Sequence, residues 1–168
     1  MQELTERIAL VTGAGRGIGR AIALALAKAG ASVVAAARSE EELNNVVSEI
    51  VTGGGKAAMC TVDFSQRSQT LRLCEQAAEW FGPIDVLVNN AGIGSASDPR
   101  PFVEYRDEFW DLTMEINLNA PYILSKSVLP HMLEQQWGRI VTIASVNSRL
   151  AGYHGSASTQ RASMVYWV

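Results

Sequence analysis

The stretch TGAGRGIG, Thr12 to Gly19, sits directly behind the apolar run Ile8-Ala9-Leu10-Val11 and directly ahead of an alanine-rich segment. The apolar run reads as a buried parallel strand. Ile18, Ala21, Ile22, Ala25, Leu26 and Ala29 then recur at helical spacing, and Gly30 supplies a stop signal. Glycines between a strand and a helix let the backbone approach a ligand closely. The helix start offers unpaired N–H groups and the positive end of its dipole to a phosphate. Strand, glycine turn and helix in that order predict a dinucleotide site. A tight βα turn holding no ligand is the alternative reading of the same residues.

Working outward, strand and helix signals alternate along the chain. Ser32–Ala37 is a second apolar run, followed by a polar helix from Ser39 to about Thr52, with Ser39 at the N-cap and Glu42 at the capping-box position. Gly53, Gly54 and Gly55 end it. Lys56–Val62 reads as a third strand, Ser65–Phe81 as a third helix closed by Gly82-Pro83, and Ile84–Val88 as a fourth strand turning through Asn89, Asn90, Ala91 and Gly92. Ile93–Pro101, rich in Gly, Ser and Pro, reads as a loop. Asp107–Trp137 is mostly helical, with Pro121 and Pro130 as expected points of kink or interruption. Gly138 precedes a fifth strand, Arg139–Ala144. This alternation predicts an α/β fold, a doubly wound parallel sheet with helices on both faces.

Composition narrows the function. The 168 residues are one domain's worth of chain, 48% hydrophobic and 18% charged. A net charge of −3 with scattered Lys and Arg gives no electrostatic case for nucleic acid or an anionic membrane. No apolar run approaches membrane-spanning length, and MQELTER lacks the apolar core of a signal peptide, so a reducing cytoplasm is the expected location. Cys60 and Cys74 fit neither a metal nor a redox spacing and read as buried small hydrophobes. His131 and His154 have no second ligand at metal spacing, so no metal site is expected. Phe109, Trp110 and Tyr122 read as core or subunit-interface residues rather than a substrate box.

In an open parallel sheet ligands sit beyond the carboxyl ends of the strands. Gly13, Asp63, Asn90 and Ser145 all follow predicted strand ends, which places them along one rim. An acidic residue about twenty positions after the glycine loop would bond a ribose 2′-OH. Here that position is Ala37, followed by Arg38, and a guanidinium suits a 2′-phosphate instead. Arg16 offers a second positive charge. The residues therefore point to NADP(H) rather than NAD(H), unless Arg38 merely pairs with Glu41 or Glu42 on the next helix. Asp63 reads either as an adenine contact or as a helix N-cap ahead of Gln66.

Taken together, these motifs resemble the short-chain dehydrogenase/reductase family, with 3-oxoacyl-carrier-protein reductases the nearest in kind. The resemblance covers roughly Glu3 to Gly155 and rests on four motifs in order. TGAGRGIG is similar to the family's TGxxxGxG loop, NNAG at Asn89–Gly92 to the motif ending its fourth strand, MEINLNAPY to the segment holding its active-site asparagine, and GRIVTIAS at Gly138–Ser145 to the strand delivering its serine. The resemblance implies a Rossmann-type domain over residues 1–155. It implies that Gly13, Arg16, Gly17, Ile18 and Gly19 take the pyrophosphate region and that Arg38 takes the 2′-phosphate. Val62 and Asp63 would lie by the adenine, and Asn90, Ala91 and Gly92 by the nicotinamide ribose. Ser145 would polarise the oxygen of a small carbonyl or alcohol substrate, and Asn117 would anchor a water or backbone group in a proton relay.

The family pattern breaks beyond Ser145. A Tyr-x-x-x-Lys pair is expected about a dozen residues on, the tyrosine as general acid/base and the lysine lowering its pKa. The tyrosine position falls near Ser158, followed by Thr159, Gln160, Arg161 and Ala162, and no lysine follows Lys126. Back-translating Ala157–Val168 and regrouping the bases one position earlier permits GVYAASKHGVLG, with tyrosine and lysine at the family spacing. A frameshift near Gly155, with an aberrant tail over residues 156–168, is the expectation that this raises. The sheet would then be incomplete at its C-terminal side and the homo-oligomer of full-length relatives compromised. Three functional expectations follow: an NADP(H)-dependent oxidoreductase by descent, with impaired turnover; a non-catalytic NADP(H)-binding remnant; or a non-functional fragment.

Overall fold

The computed structural model describes residues 3–94 and 102–145. Most of the expected loop over 93–101, the expected tyrosine position near Ser158, His154, the boundary at residue 155 and the tail beyond it lie outside the described residues. Within them the chain runs β1 (Ile8–Thr12), α1 (Gly17–Lys28), β2 (Ser32–Ala37), α2 (Glu40–Thr52), β3 (Lys56–Thr61), α3 (Arg67–Phe81), β4 (Val86–Asn89), a 3₁₀ turn (Phe102–Glu104), α4 (Asp107–Met114), a π-helical turn (Glu115–Asn119), α5 (Ala120–Glu134) and β5 (Arg139–Thr142). The strands form a five-stranded sheet of order β3-β2-β1-β4-β5. Every pairing is parallel, with Leu10 opposite Val34 on one side and Leu87 on the other. This is the Rossmann-type doubly wound arrangement, and its strand order reverses between β1 and β4.

Alternate residues of the strands feed two cores. Ala9, Val11, Val33, Ala35, Val86 and Val88 face α1 and α2, meeting Ala23, Ala27, Leu43, Val46 and Ile50. Leu10, Val34, Ala36 and Leu87 face α3 and α5, meeting Leu73, Ala77, Leu124, Val128 and Met132. Burial on both faces explains why these strands read as continuous apolar runs rather than alternating ones. Gly30, at φ 102°, ends α1 as expected: its N–H reaches Ala27 O and that of Ala31 reaches Leu26 O.

Of the two prolines expected to disturb the long helical segment, Pro121 does so and Pro130 does not. The break is the π turn Glu115–Asn119, just ahead of Pro121, while Pro130 lies inside α5 without ending it. The Ala120 N–H bonds the carbonyl of Glu115, five residues back. Pro121 has no N–H to give Asn117's carbonyl, so the ordinary ladder is already interrupted there and one wider turn absorbs the fault. Gln136, at φ 54°, then turns the chain into β5.

Candidate functional site

Because all five strands run the same way, their carboxyl ends share one rim. Gly13 follows β1, Asp63 lies two residues past β3, Asn90 follows β4, and Ser145 lies three past β5. The β1 and β4 ends are tied together by one hydroxyl. Thr12 Oγ1 donates to Val88 O at 3.1 Å and accepts the N–H groups of Asn90 at 2.9 Å and Ala91 at 3.0 Å. The Asn90 side chain closes the same junction, its Nδ2 donating to Thr12 O at 2.8 Å and Gly13 O at 3.2 Å.

That junction dictates which loop positions must lack a side chain. A Cβ at Gly19 would strike the Gly13 carbonyl and Asn90 Nδ2, so α1 can begin where it does only with glycine there. Gly13 combines φ +64° with a Cβ position 2.9 Å from Asn90 Nδ2. Gly17, at φ +55°, has nothing within 4 Å of its Cβ position and faces open space at the start of α1. A glycine-rich loop held against β4, with an open helix start beyond it, is the shape a pyrophosphate needs.

A cavity of about 800 Å³ lies over this loop. Gly13, Arg16, Gly17, Ile18 and Gly19 form one wall, Arg38 and Asp63 another, and Asn90, Ala91 and Gly92 a third. Of the residues expected to bind cofactor, only Val62 is missing from the walls. Its side chain is buried in the core beside α3, because strand alternation turns it inward where Asp63 turns out. Asp63 also shows why a capping role was legible: its Oδ1 accepts the Ser65 N–H at 2.9 Å, although the N-cap of α3 itself is Gln66.

At the cavity's α2 end, Arg38 makes no ion pair with Glu41 or Glu42 among the described residues. The cation that Glu42 meets is Arg16, at 4.0 Å. Ser39 Oγ caps α2 by accepting the Glu42 N–H at 3.3 Å, as expected. At the other end, Asn117 reaches out of the π turn to the backbone following Gly92. Its Oδ1 accepts the Ile93 N–H at 2.9 Å and its Nδ2 donates to Ile93 O at 2.7 Å. Glu115, in the same turn, holds Asn119 Nδ2 and pairs with Arg67 at 3.5 Å. Ser145 and Asn117 do not belong to the cavity wall, whereas Ile93 and Ile116 do.

Sequence reasoning missed the Thr12 hydroxyl, although the residue heads the quoted motif, and it missed the Glu42 carboxylate as part of the wall. It also passed over the one Tyr-x-x-x-Lys spacing present, Tyr122 and Lys126, which precedes Ser145. Tyr122 lies exposed on α5 with Lys126 Nζ 5.9 Å from its ring centre, and neither lines the cavity. Burial pushes the Cys60 thiol up and the Cys74 thiol up to about 12, in keeping with small hydrophobes rather than nucleophiles. Among the described residues no His, Cys, Asp or Glu cluster could hold a metal, and no helix is long and apolar enough to cross a membrane.

Comparison with known proteins agrees with this geometry. The family model described as "short chain dehydrogenase" matches residues 7–159. A short chain dehydrogenase from Pseudocercospora fijiensis is 40% identical over 86% of this chain and 46% of its own length. A 3-oxoacyl-[acyl-carrier-protein] reductase from Synechocystis is 38% identical over 94% of this chain and 63% of its own length. The chain thus spans roughly half to two thirds of these curated relatives. A metagenomic short-chain oxidoreductase solved in complex with NADP superposes with a TM-score of 0.87 at 35% identity, over 96% of this chain and 72% of that one. Fold, glycine loop and relatives converge, and the chain belongs to the short chain dehydrogenase family of oxidoreductases.

Proposed function

We propose that the cavity over the glycine loop binds NADP(H), and that the chain is the cofactor-holding part of an oxidoreductase for small carbonyl or alcohol substrates. The observation that carries this is the joint placement of the glycine-rich loop Gly13–Gly19 and Arg38 in one cavity, with Ala37 where a carboxylate would favour NAD(H). The start of α1 would take the pyrophosphate on its N–H groups. Arg38 would take the 2′-phosphate through its planar fork of donors. Asp63 would border the adenine, and Asn90, Ala91 and Gly92 the nicotinamide ribose. The cofactor, when bound, supplies a hydride. Ser145, on the same rim, would hold the substrate oxygen, and Asn117 would keep the wall beside the nicotinamide in place through Ile93.

A second reading concerns turnover. No Tyr-x-x-x-Lys follows Ser145 in these 168 residues, and an unassisted tyrosine titrating near pH ~10 is a poor base. These residues alone are therefore proposed to bind the cofactor without appreciable turnover. Fluorescence titration with NADPH tests binding, and saturable enhancement is the expected result. NADPH oxidation with a panel of ketones tests the second reading. Robust turnover lost on Ser145→Ala would overturn the second reading, and absence of saturable binding would overturn the first.

A further inference from the structure

The wall of the cavity at the start of α2 carries a charge that works against the phosphate site. Glu42 lines it together with Arg16, Arg38 and Ser39, whereas its neighbours Glu40 and Glu41 do not. Its Oε1 lies 4.0 Å from Arg16 Nε. Gly15 makes room for it: a Cβ at Gly15 would stand 2.9 Å from Glu42 Cβ and 2.8 Å from Oε2, so any side chain there would press on Glu42. The absence of a side chain at position 15 is thus what lets Glu42 lie against the loop. The Ser39-x-x-Glu42 spacing would favour a carboxylate folded back on the Ser39 N–H. Only the Ser39 Oγ to Glu42 N–H half of that box is seen, while the carboxylate lies toward Arg16.

We infer that Glu42 is a specificity-determining residue that weakens this cavity's preference for NADP(H) over NAD(H). This inference rests on the reading of the cavity as an NADP(H) site. Arg16 and Arg38 contribute two positive charges at this wall and Glu42 removes one, where a phosphate monoester brings about −1.5 to −2. The Glu42 carboxylate repels the 2′-phosphate and competes with it for Arg16. A 2′-hydroxyl suffers neither effect. Glu42→Gln keeps the backbone N–H that Ser39 caps and the length of the side chain, and it removes both penalties.

The test is equilibrium binding of NADPH and NADH to the full chain, its Glu42→Gln and Arg16→Gln variants and the double variant, with Glu42→Ala as a second neutral replacement. The expected result is a rise in the NADPH-to-NADH affinity ratio of roughly three- to ten-fold on Glu42→Gln, shrinking as salt is raised because the effect is one of exposed charge. Arg16→Gln should cost more NADPH affinity in the Glu42→Gln background than in the parent. An unchanged or lower ratio in both neutral variants, while the parent binds NADPH, overturns this inference and leaves the cofactor reading standing. Failure of the parent to bind NADPH at all overturns both.

Discussion

The Asn117 carboxamide and the Ile93 backbone are joined by a reciprocal pair of hydrogen bonds, 2.9 Å and 2.7 Å long, that fix the strand-end segment after Gly92 to the π turn. Both backbone polar groups of the half-buried Ile93 are met by one side chain. Asn117→Ala removes both partners and is expected to cost about 1–3 kcal/mol in urea unfolding. Asn117→Asp keeps an acceptor but sets a carboxylate against the Ile93 carbonyl, so it should not rescue. A loss below about 0.5 kcal/mol for the alanine variant would contradict this role.

Thr12 is buried, and its hydroxyl serves three backbone groups at once. Thr12→Val preserves the shape and deletes every one of those bonds, leaving the half-buried N–H groups of Asn90 and Ala91 without this acceptor. The expected loss is about 2–4 kcal/mol, and Thr12→Ser should recover most of it. A serine variant less stable than the valine variant would show that the side chain acts by volume rather than by hydrogen bonding.

Gly19 and Gly17 should fail in different ways. A Cβ at Gly19 overlaps the Gly13 carbonyl, a backbone group that cannot move without displacing the loop, whereas at Gly17 the space is open and only φ +55° resists. Gly17→Ala is expected to cost about 1–2 kcal/mol of backbone strain. Gly19→Ala should cost more and shift the amide resonances of Gly13 and Asn90. The reverse order in thermal or urea unfolding would mean that the start of α1 is not wedged against β1 as described.

Cys74 gives a prediction in pH. Burial first, and the nearby Glu75 carboxylate after it, hold the thiol up to about 12, with a hydrogen bond to Ser127 opposing them. In the unfolded chain the thiol ionises near pH ~8.5. Between those values the unfolded state binds fewer protons than the folded one, so stability falls as pH rises. The contribution is intact below pH ~8.5 and is lost progressively above it. Cys74→Ser should flatten the alkaline limb of the stability profile relative to the parent. Iodoacetamide at pH ~8.5 should label Cys74 slowly in the folded chain and quickly in urea. Equal rates in the two states would contradict its partial burial.

Much of this was legible because burial on both sheet faces writes itself into sequence as apolar runs. Ile8–Val11 and Ser32–Ala37 therefore fell within a residue of their strands, as did the less buried edge strand at Lys56–Val62, and Gly30 and Ser39 marked their helix ends by local chemistry. The rim was legible too, since parallel strands put Gly13, Asp63, Asn90 and Ser145 at like ends. What sequence could not show were the choices made across space. The π turn was hidden because apolar spacing continues on both sides of Asn117, and the proline that disturbs the ladder acts four residues back. Val62 and Asp63 are neighbours in the chain but point to opposite sides, and only the strand's register decides which faces the cavity. The Ser39-x-x-Glu42 spacing foretold a local carboxylate bond, yet Arg16, far away in sequence, brings a charge to the same place.

The most direct measurement is a crystal structure of this chain with NADP+. The pyrophosphate is expected against the start of α1 over Gly17 to Gly19, the 2′-phosphate at Arg38, and the nicotinamide ribose beside Asn90 and Gly92. A dinucleotide bound elsewhere, or one in this cavity whose 2′-phosphate lies away from both Arg38 and Arg16, would contradict this placement.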